Sequence, residues 1–248
     1  MLNNLILSLS TYKYSDTAAI LGSGKSINSI SCDAWAKIII SCDTWAVNNW
    51  VYHPYVVPDF YMFETKAYAY DLLKKRLKEK SYEYRSTKFL VPHNKLIKGR
   101  PLIDVIPSGH YAFEVPQKRR GDRADARYTA DYPFCTNLLT KSYDMSVTVL
   151  FELLYRLGYK RVVTFGIDLN DSLYFWSSGH TKYGEVHHLW NKQHEDRDPC
   201  SPHNTYRIKE FIDDFNTRHF IPNGNEIFVG HKNTALFPDL RYCNLTVE

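Results

Sequence analysis

The chain has 248 residues, 44% of them hydrophobic and 23% charged, the balance of an ordinary globular protein with one large domain or a domain carrying a lid. Its net charge of +4 is too small to argue for nucleic acid, though it suits an anionic substrate or an anionic membrane surface. No apolar run approaches the roughly 18 residues of a membrane span, and the opening stretch Met1–Leu9 is short and lacks the basic start of a secretory signal.

Five cysteines, Cys32, Cys42, Cys135, Cys200 and Cys243, are scattered and form no C-x-x-C pair. That pattern implies reduced thiols in a cytoplasm. The 19 tyrosines suit a cleft for sugars or nucleotides, and equally suit half-buried packing.

Residues 1–16 read as a polar-tipped extension, with Tyr12 and Tyr14 against the body. Thr17-Ala18-Ala19-Ile20-Leu21 then runs into Gly22-Ser23-Gly24-Lys25-Ser26-Ile27, the pattern of strand, tight turn and helix. Glycines let backbone approach a ligand, and a helix N-terminus offers N–H groups to an anion. The spacing fits neither common phosphate loop, because Ala19 and Ile27 stand where each needs glycine. A plain strand-to-helix turn is the competing reading.

Ala36-Lys37-Ile38-Ile39-Ile40-Ser41 is β-branched and predicts a second buried strand. Ser31-Cys32-Asp33-Ala34-Trp35 and Ser41-Cys42-Asp43-Thr44-Trp45 resemble each other by chance. The second leads to Asn48 and Asn49, which suit ribose hydroxyls or a base edge, or an Asx-turn. Asp59–Glu64 predicts a third strand, 66–80 an amphipathic solvent-facing helix through Ala69, Leu72, Leu73 and Leu77, and Thr87–Val91 a fourth strand.

From 92 to 142 prolines interrupt the pattern, and Lys118-Arg119-Arg120-Gly121-Asp122-Arg123 forms a charge cluster, read as a solvated loop or a phosphate- or membrane-contacting patch. Val147, Leu150, Phe151, Leu154 and Leu157 predict a helix over 143–157 that Gly158 caps, followed by a strand over 160–168 ending in Gly166-Ile167-Asp168. Residues 169–203 are irregular and carry His180, His187, His188, His194 and His203. A helix through Ile208, Phe211, Ile212 and Phe215, a strand over 225–229 and a tail closing over the sheet complete an α/β pattern with a mostly parallel sheet.

Four pieces now stand in order: Ile20–Ile27, then Val47-Asn48-Asn49-Trp50, then Leu157-Gly158-Tyr159-Lys160-Arg161-Val162 with Gly166-Ile167-Asp168, then His203-Asn204-Thr205. Together they resemble the bacterial sialyltransferases of glycosyltransferase family 42 and their Kdo-transferase and Maf-like relatives. The resemblance implies a Rossmann-like, mostly parallel sheet flanked by helices with an inserted lid, a GT-A-like variant. On that reading 1–168 is the nucleotide-binding region with its 92–142 insertion, 169–203 is the lid, and 204–248 completes the same domain.

The resemblance also implies a CMP-activated acidic sugar as donor, with no cofactor and no metal, and a glycan or glycolipid hydroxyl as acceptor. By position, Gly22, Ser23, Gly24, Asn48, Glu64, Ser146, Gly166 and Asp168 would bind the donor, and Tyr174 and His203 would be catalytic. Ser23 and Glu64 stand where the family carries asparagine, Val147 where it carries glycine, and Asn170 where a second tyrosine is expected. The implied setting is cytoplasmic, at the inner face of the membrane, in the synthesis of lipopolysaccharide or capsule, with no nucleic-acid partner. Peripheral membrane association and a homo-oligomer stay open.

Sugar transfer needs a base for the acceptor hydroxyl and stabilisation of the departing phosphate. Histidine suits the first task and tyrosine hydroxyls the second. For His203 the competing role is a surface or helix-capping histidine; for Tyr174 it is packing. A metal site from His187, His188 and His194 with Glu185, Glu195 or Asp196 matches no standard ligand spacing. Two other functions stay open. One is a metal-dependent pterin pyrophosphokinase using Glu64 and Asp168; the other is a non-catalytic nucleotide-binding module.

Overall fold

A computed structural model describes residues 2–63, 70–92, 106, 109–113, 146–170, 175 and 202–245, with the backbone alone for 70–72 and 202–207. Seven strands form one sheet: β1 (Thr17–Leu21), β2 (Asp43–Val47), β3 (Phe60–Met62), β4 (Lys88–Pro92), β5 (His110–Phe113), β6 (Arg161–Phe165) and β7 (Glu226–Val229). Their order is β5-β4-β3-β2-β1-β6-β7, and every pairing is parallel. The chain steps outward from β1 to β5 and then returns to the other side of β1. The topological switch therefore lies between β1 and β6, where open α/β sheets leave a crevice at the strands' carboxyl ends.

Helices cover both faces, as a parallel sheet requires. Helices α1 (Leu2–Ser10), α4 (Ser146–Arg156) and α5 (Pro202–Phe215) share one core with Ile20, Trp45 and Val162, through Leu5, Leu150, Leu154, Phe211 and Phe215. Helices α2 (Cys32–Ser41) and α3 (Tyr70–Glu79) share the other with Ala19, Leu21 and Ala46, through Trp35, Ile38, Leu73 and Leu77. Successive residues of β1 thus face opposite layers, and β1 and β2 are buried along their whole length.

The α4–Gly158–β6 unit forms as its spacing predicts, with Gly158 at φ +72° closing the helix in the left-handed region. The expected strand over 36–41 is instead the second half of α2. Ser31 caps that helix by accepting the Ala34 N–H at 3.2 Å. Trp35 and Ile38, three apart, then turn inward while Ile40 is 79% exposed, so helical burial of two large side chains outweighs β-branched propensity. The two similar pentapeptides accordingly begin unlike elements, a helix and strand β2. Within the first 16 residues, α1 buries Leu2, Leu5 and Leu9. Strand β5 lies inside the stretch read as irregular.

The tail runs beside β7: Val229 donates its N–H to Arg241 O and accepts that of Cys243, both at 2.9 Å. At the amino ends of the strands, Asp43 is fully buried and accepts from Tyr14 N, Ser15 N and, at 2.6 Å, the Tyr159 hydroxyl. Burial pushes the Asp43 carboxyl above the usual carboxylate range and raises Tyr14 and Tyr159 as well. Among the described residues Cys32, Cys42 and Cys243 form no disulfide, and no helix is long and apolar enough to cross a membrane.

Candidate functional site

The turns after β1 and β6 interlock. Gly22 N donates to Phe165 O and Gly24 N to Gly166 O, each at 2.7 Å. The fit leaves no room for side chains. A Cβ on Gly22 would stand 2.4 Å from Gly166 O, and one on Gly24 the same distance from Asp168 Oδ2. Gly166, at φ +66°, would put a Cβ 2.6 Å from Ile27 Cγ1. These glycines are thus required by the packing of one turn on the other.

Past Gly24 the chain makes a 3₁₀ turn over Lys25–Ser29. Asp168 occupies the start of that turn. Its Oδ2 accepts the Ser26 N–H at 2.9 Å and its Oδ1 accepts the Ser26 hydroxyl at 2.5 Å. The chain's own carboxylate therefore stands where an anion would meet this N-terminus. Ser23 O accepts the Phe175 N–H at 2.9 Å, and Asn28 Nδ2 donates to Phe175 O at 2.7 Å, so a residue from beyond β6 is tied over the turn.

One strand away, β2 ends at Asn48-Asn49. Asn48 adopts φ +51°, a left-handed backbone that asparagine tolerates best among residues with a Cβ. Its carbonyl accepts the Tyr61 hydroxyl at 2.6 Å, and the same hydroxyl accepts the Val51 N–H at 2.8 Å. Asn48 Nδ2 donates to Ser146 Oγ at 3.0 Å, which joins the end of β2 to the first residue of α4. Next to it Asn49 is buried, and its Oδ1 finds no hydrogen-bond partner, an unpaired acceptor of the kind found at functional positions. Because β2 pairs directly with β1, this turn and the β1 side of the glycine interlock stand about 5 Å apart along the carboxyl edge.

Lys80, itself buried, donates to His53 O at 2.8 Å and braces the far end of the loop that begins at Asn48. Burial pulls its ammonium down to about 8. The remaining side of the edge is held by the loop after β7. Thr234 Oγ1 donates to Ile167 O at 2.8 Å and Ala235 N to Asp168 O at 2.7 Å, gripping the turn where Leu169 takes φ +56°.

A cleft of about 370 Å³ opens between the start of α2, the ends of β6 and β7 and the tail, lined by Ser29, Ser31, Lys37, Phe165, His231 and Tyr242. Ser29 Oγ lies 3.0 Å from His231 Nε2. His231 Nδ1 accepts the Asn233 N–H at 3.0 Å, so the neutral ring carries its proton on Nε2 and donates to Ser29, whose own proton goes to Ser26 O at 2.7 Å. The pair is wired for structure, since this histidine faces Ser29 as a donor and not as a base.

Of the residues assigned by resemblance, Gly22, Gly24, Gly166 and Asp168 come together in the interlock, and Asn48 and Ser146 touch each other. Ser23 takes part through its carbonyl. His203 is the second residue of α5, of which only the backbone is described there. Glu64 and Tyr174 lie outside the described residues, as do His180, His187, His188 and His194. Among the described residues no group of three or more His, Cys, Asp or Glu is arranged to hold a metal ion. Sequence reasoning missed the Ser26–Asp168 clamp and Tyr61 as the anchor of the Asn48 turn; it named Asn49 beside Asn48, without its buried, unpaired Oδ1. The clamp had no signal in the sequence, because Ser26 and Asp168 are 142 residues apart and meet only once β1 and β6 pair Leu21 with Phe165.

No family model matches the chain, and no curated protein matches it. Among solved structures, the apo form of an alpha-2,3-sialyltransferase from Campylobacter jejuni is similar, at 12% identity over 94% of this chain and 82% of that one, with a TM-score of 0.48. That likeness is loose, and the fold described here stands on the strand pairings themselves.

Proposed function

We propose that this protein is a glycosyltransferase that moves an acidic sugar of sialic acid or Kdo type from a CMP-sugar to a hydroxyl of a surface glycan. The observation that carries the reading is the Asn48–Ser146 contact. A left-handed asparagine at the end of β2 reaches the N-terminus of α4, beside the switch between β1 and β6. That edge is where parallel sheets bind nucleotides, and a helix start favours a phosphate. The donor class rests on the order of the short motifs that resemble family 42.

Within the assigned set, the geometry favours Asn48 and Ser146 as donor-contacting side chains, with unpaired Asn49 beside them. Gly22, Ser23, Gly24, Gly166 and Asp168 form the floor beneath, and Glu64 is assigned to the ribose by motif position alone. In the reaction the acceptor oxygen attacks the anomeric carbon while the bond from that carbon to the phosphate oxygen breaks. His203 takes the acceptor proton, CMP leaves as a phosphate monoester, and Tyr174 donates to the departing phosphate. The single displacement inverts the anomeric centre. The metal-dependent pyrophosphokinase reading is disfavoured because both Asp168 oxygens are already engaged by Ser26.

The test is thermal stability with CMP, CDP, UDP and ATP, with and without EDTA. CMP at a hundred times its Kd should add about 2.7 kcal/mol of stability, and EDTA should leave that gain intact. A response to ATP with magnesium alone would replace this reading with the pyrophosphokinase. Turnover assays with CMP-Neu5Ac and CMP-Kdo then identify the sugar. His203→Ala should abolish transfer and keep CMP binding, and undiminished turnover would remove His203 from the base role.

A further inference from the structure

Helix α3 and the turn after it form a basic, aromatic surface that the proposed transfer chemistry does not use. Leu73 and Leu77 are buried, and helical spacing turns Lys74, Lys75 and Lys78 outward. With Arg76 and Arg85 they make five exposed or half-exposed cations, against three carboxylates in the sequence of the segment, Asp71, Glu79 and Glu83. The sixth cation of the segment, Lys80, points inward to His53 O. That bond ties the end of α3 to the loop that carries Tyr55, and Tyr82 follows in the turn after the helix. Both tyrosines are strongly exposed, at 71% and 74%, an unusual state for large aromatic side chains. The Arg85 guanidinium stands 3.8 Å from the Tyr82 ring centroid and donates to Tyr82 O at 2.8 Å, holding that ring outward.

We propose that this surface docks the protein on an anionic phospholipid bilayer. Lysines and arginines on one side of an amphipathic helix are attracted to acidic headgroups, and tyrosine is at home in the interfacial layer, where the ring is half dry and the hydroxyl wet. A single-stranded nucleic acid would need open ring faces for stacking, and Arg85 covers one face of Tyr82. The inference does not depend on the sugar-transfer reading, because lipid binding is measured without turnover.

The experiment is co-sedimentation of the full chain with vesicles of phosphatidylcholine alone or mixed with phosphatidylglycerol, at low and high salt. Binding should require phosphatidylglycerol and disappear at high salt. The K74Q/K78Q double variant, checked for an unchanged melting temperature, should bind roughly 30-fold more weakly, and Tyr82→Ser should weaken binding with all charges in place. Binding unaffected by either change would overturn the proposal, as would no preference for the acidic lipid. Retention on a single-stranded oligonucleotide in place of vesicles would also overturn it.

Discussion

Ser26 donates twice to Asp168, through its hydroxyl to Oδ1 at 2.5 Å and through its amide to Oδ2 at 2.9 Å, across 142 residues of chain. The contact is buried, and both groups on the Ser26 side are donors. Asp168→Asn would turn an amide NH₂ toward one of them, leaving a buried donor unpaired at a cost of about 1–3 kcal/mol. Urea denaturation should register that loss. Unchanged stability together with lost CMP binding would instead make Asp168 a ligand contact.

Gly166 and Gly158 both have φ near +70°, but they differ in surroundings. A Cβ at Gly166 meets Ile27 Cγ1 at 2.6 Å, while nothing lies within 4 Å of one at Gly158. Gly158→Ala should therefore cost only the left-handed backbone term, about 1–2 kcal/mol. Gly166→Ala adds a clash in the interlock and should cost clearly more. Equal midpoints for the two variants in denaturant would refute the packing argument.

Asn48 combines a backbone demand with a side-chain contact, and two substitutions separate them. Asn48→Gly keeps the φ +51° turn at low cost and deletes the bond to Ser146. Asn48→Ala deletes the bond and strains the turn. Both variants should lose most stabilisation by CMP, and only Asn48→Ala should also melt earlier in the absence of ligand. A glycine variant with full CMP response would mean that the side chain is not a donor contact.

Lys80 gives a pH signature. Burial lowers its ammonium from 10.5 to about 8, so the folded chain releases that proton before the unfolded chain does. Between about pH 8 and 10.5 the unfolded state binds more protons, and stability from this group rises with pH. Lys80→Met should remove that contribution, read as the difference between wild-type and variant stability across the window. The same slope in both proteins would show that another group is responsible.

The parts of the fold that sequence reveals are those in which one element decides its own burial. Helix α4 carries a full apolar stripe, Gly158 can stop it, and β6 follows, so no partner is needed to read the unit. Helix α2 fails that test, because Ile38, Ile39 and Ile40 satisfy a strand pattern until Trp35 is seen packing with Ile38 against β1. Helix α1 has only nine residues, too few for its stripe to stand out. The glycine turn was legible as a turn, but its purpose was not. Its close contacts are with Gly166 and Asp168, far along the chain, so the same glycines that suggest a ligand serve to seat a neighbouring turn. Asn48 stands out in the sequence as following a strand expected over 36–41; that segment is helix, and the strand it does follow is β2, while Tyr61, which anchors it, reads as one more buried aromatic.

The strip of tail beside β7 has a consequence for solubility. Parallel sheets end in two rims, and a bare rim can recruit a strand from another molecule. Residues 241–243 occupy the β7 rim by exchanging main-chain hydrogen bonds with Val229, so a chain shortened after Leu240 would expose that rim and self-associate, which light scattering would detect.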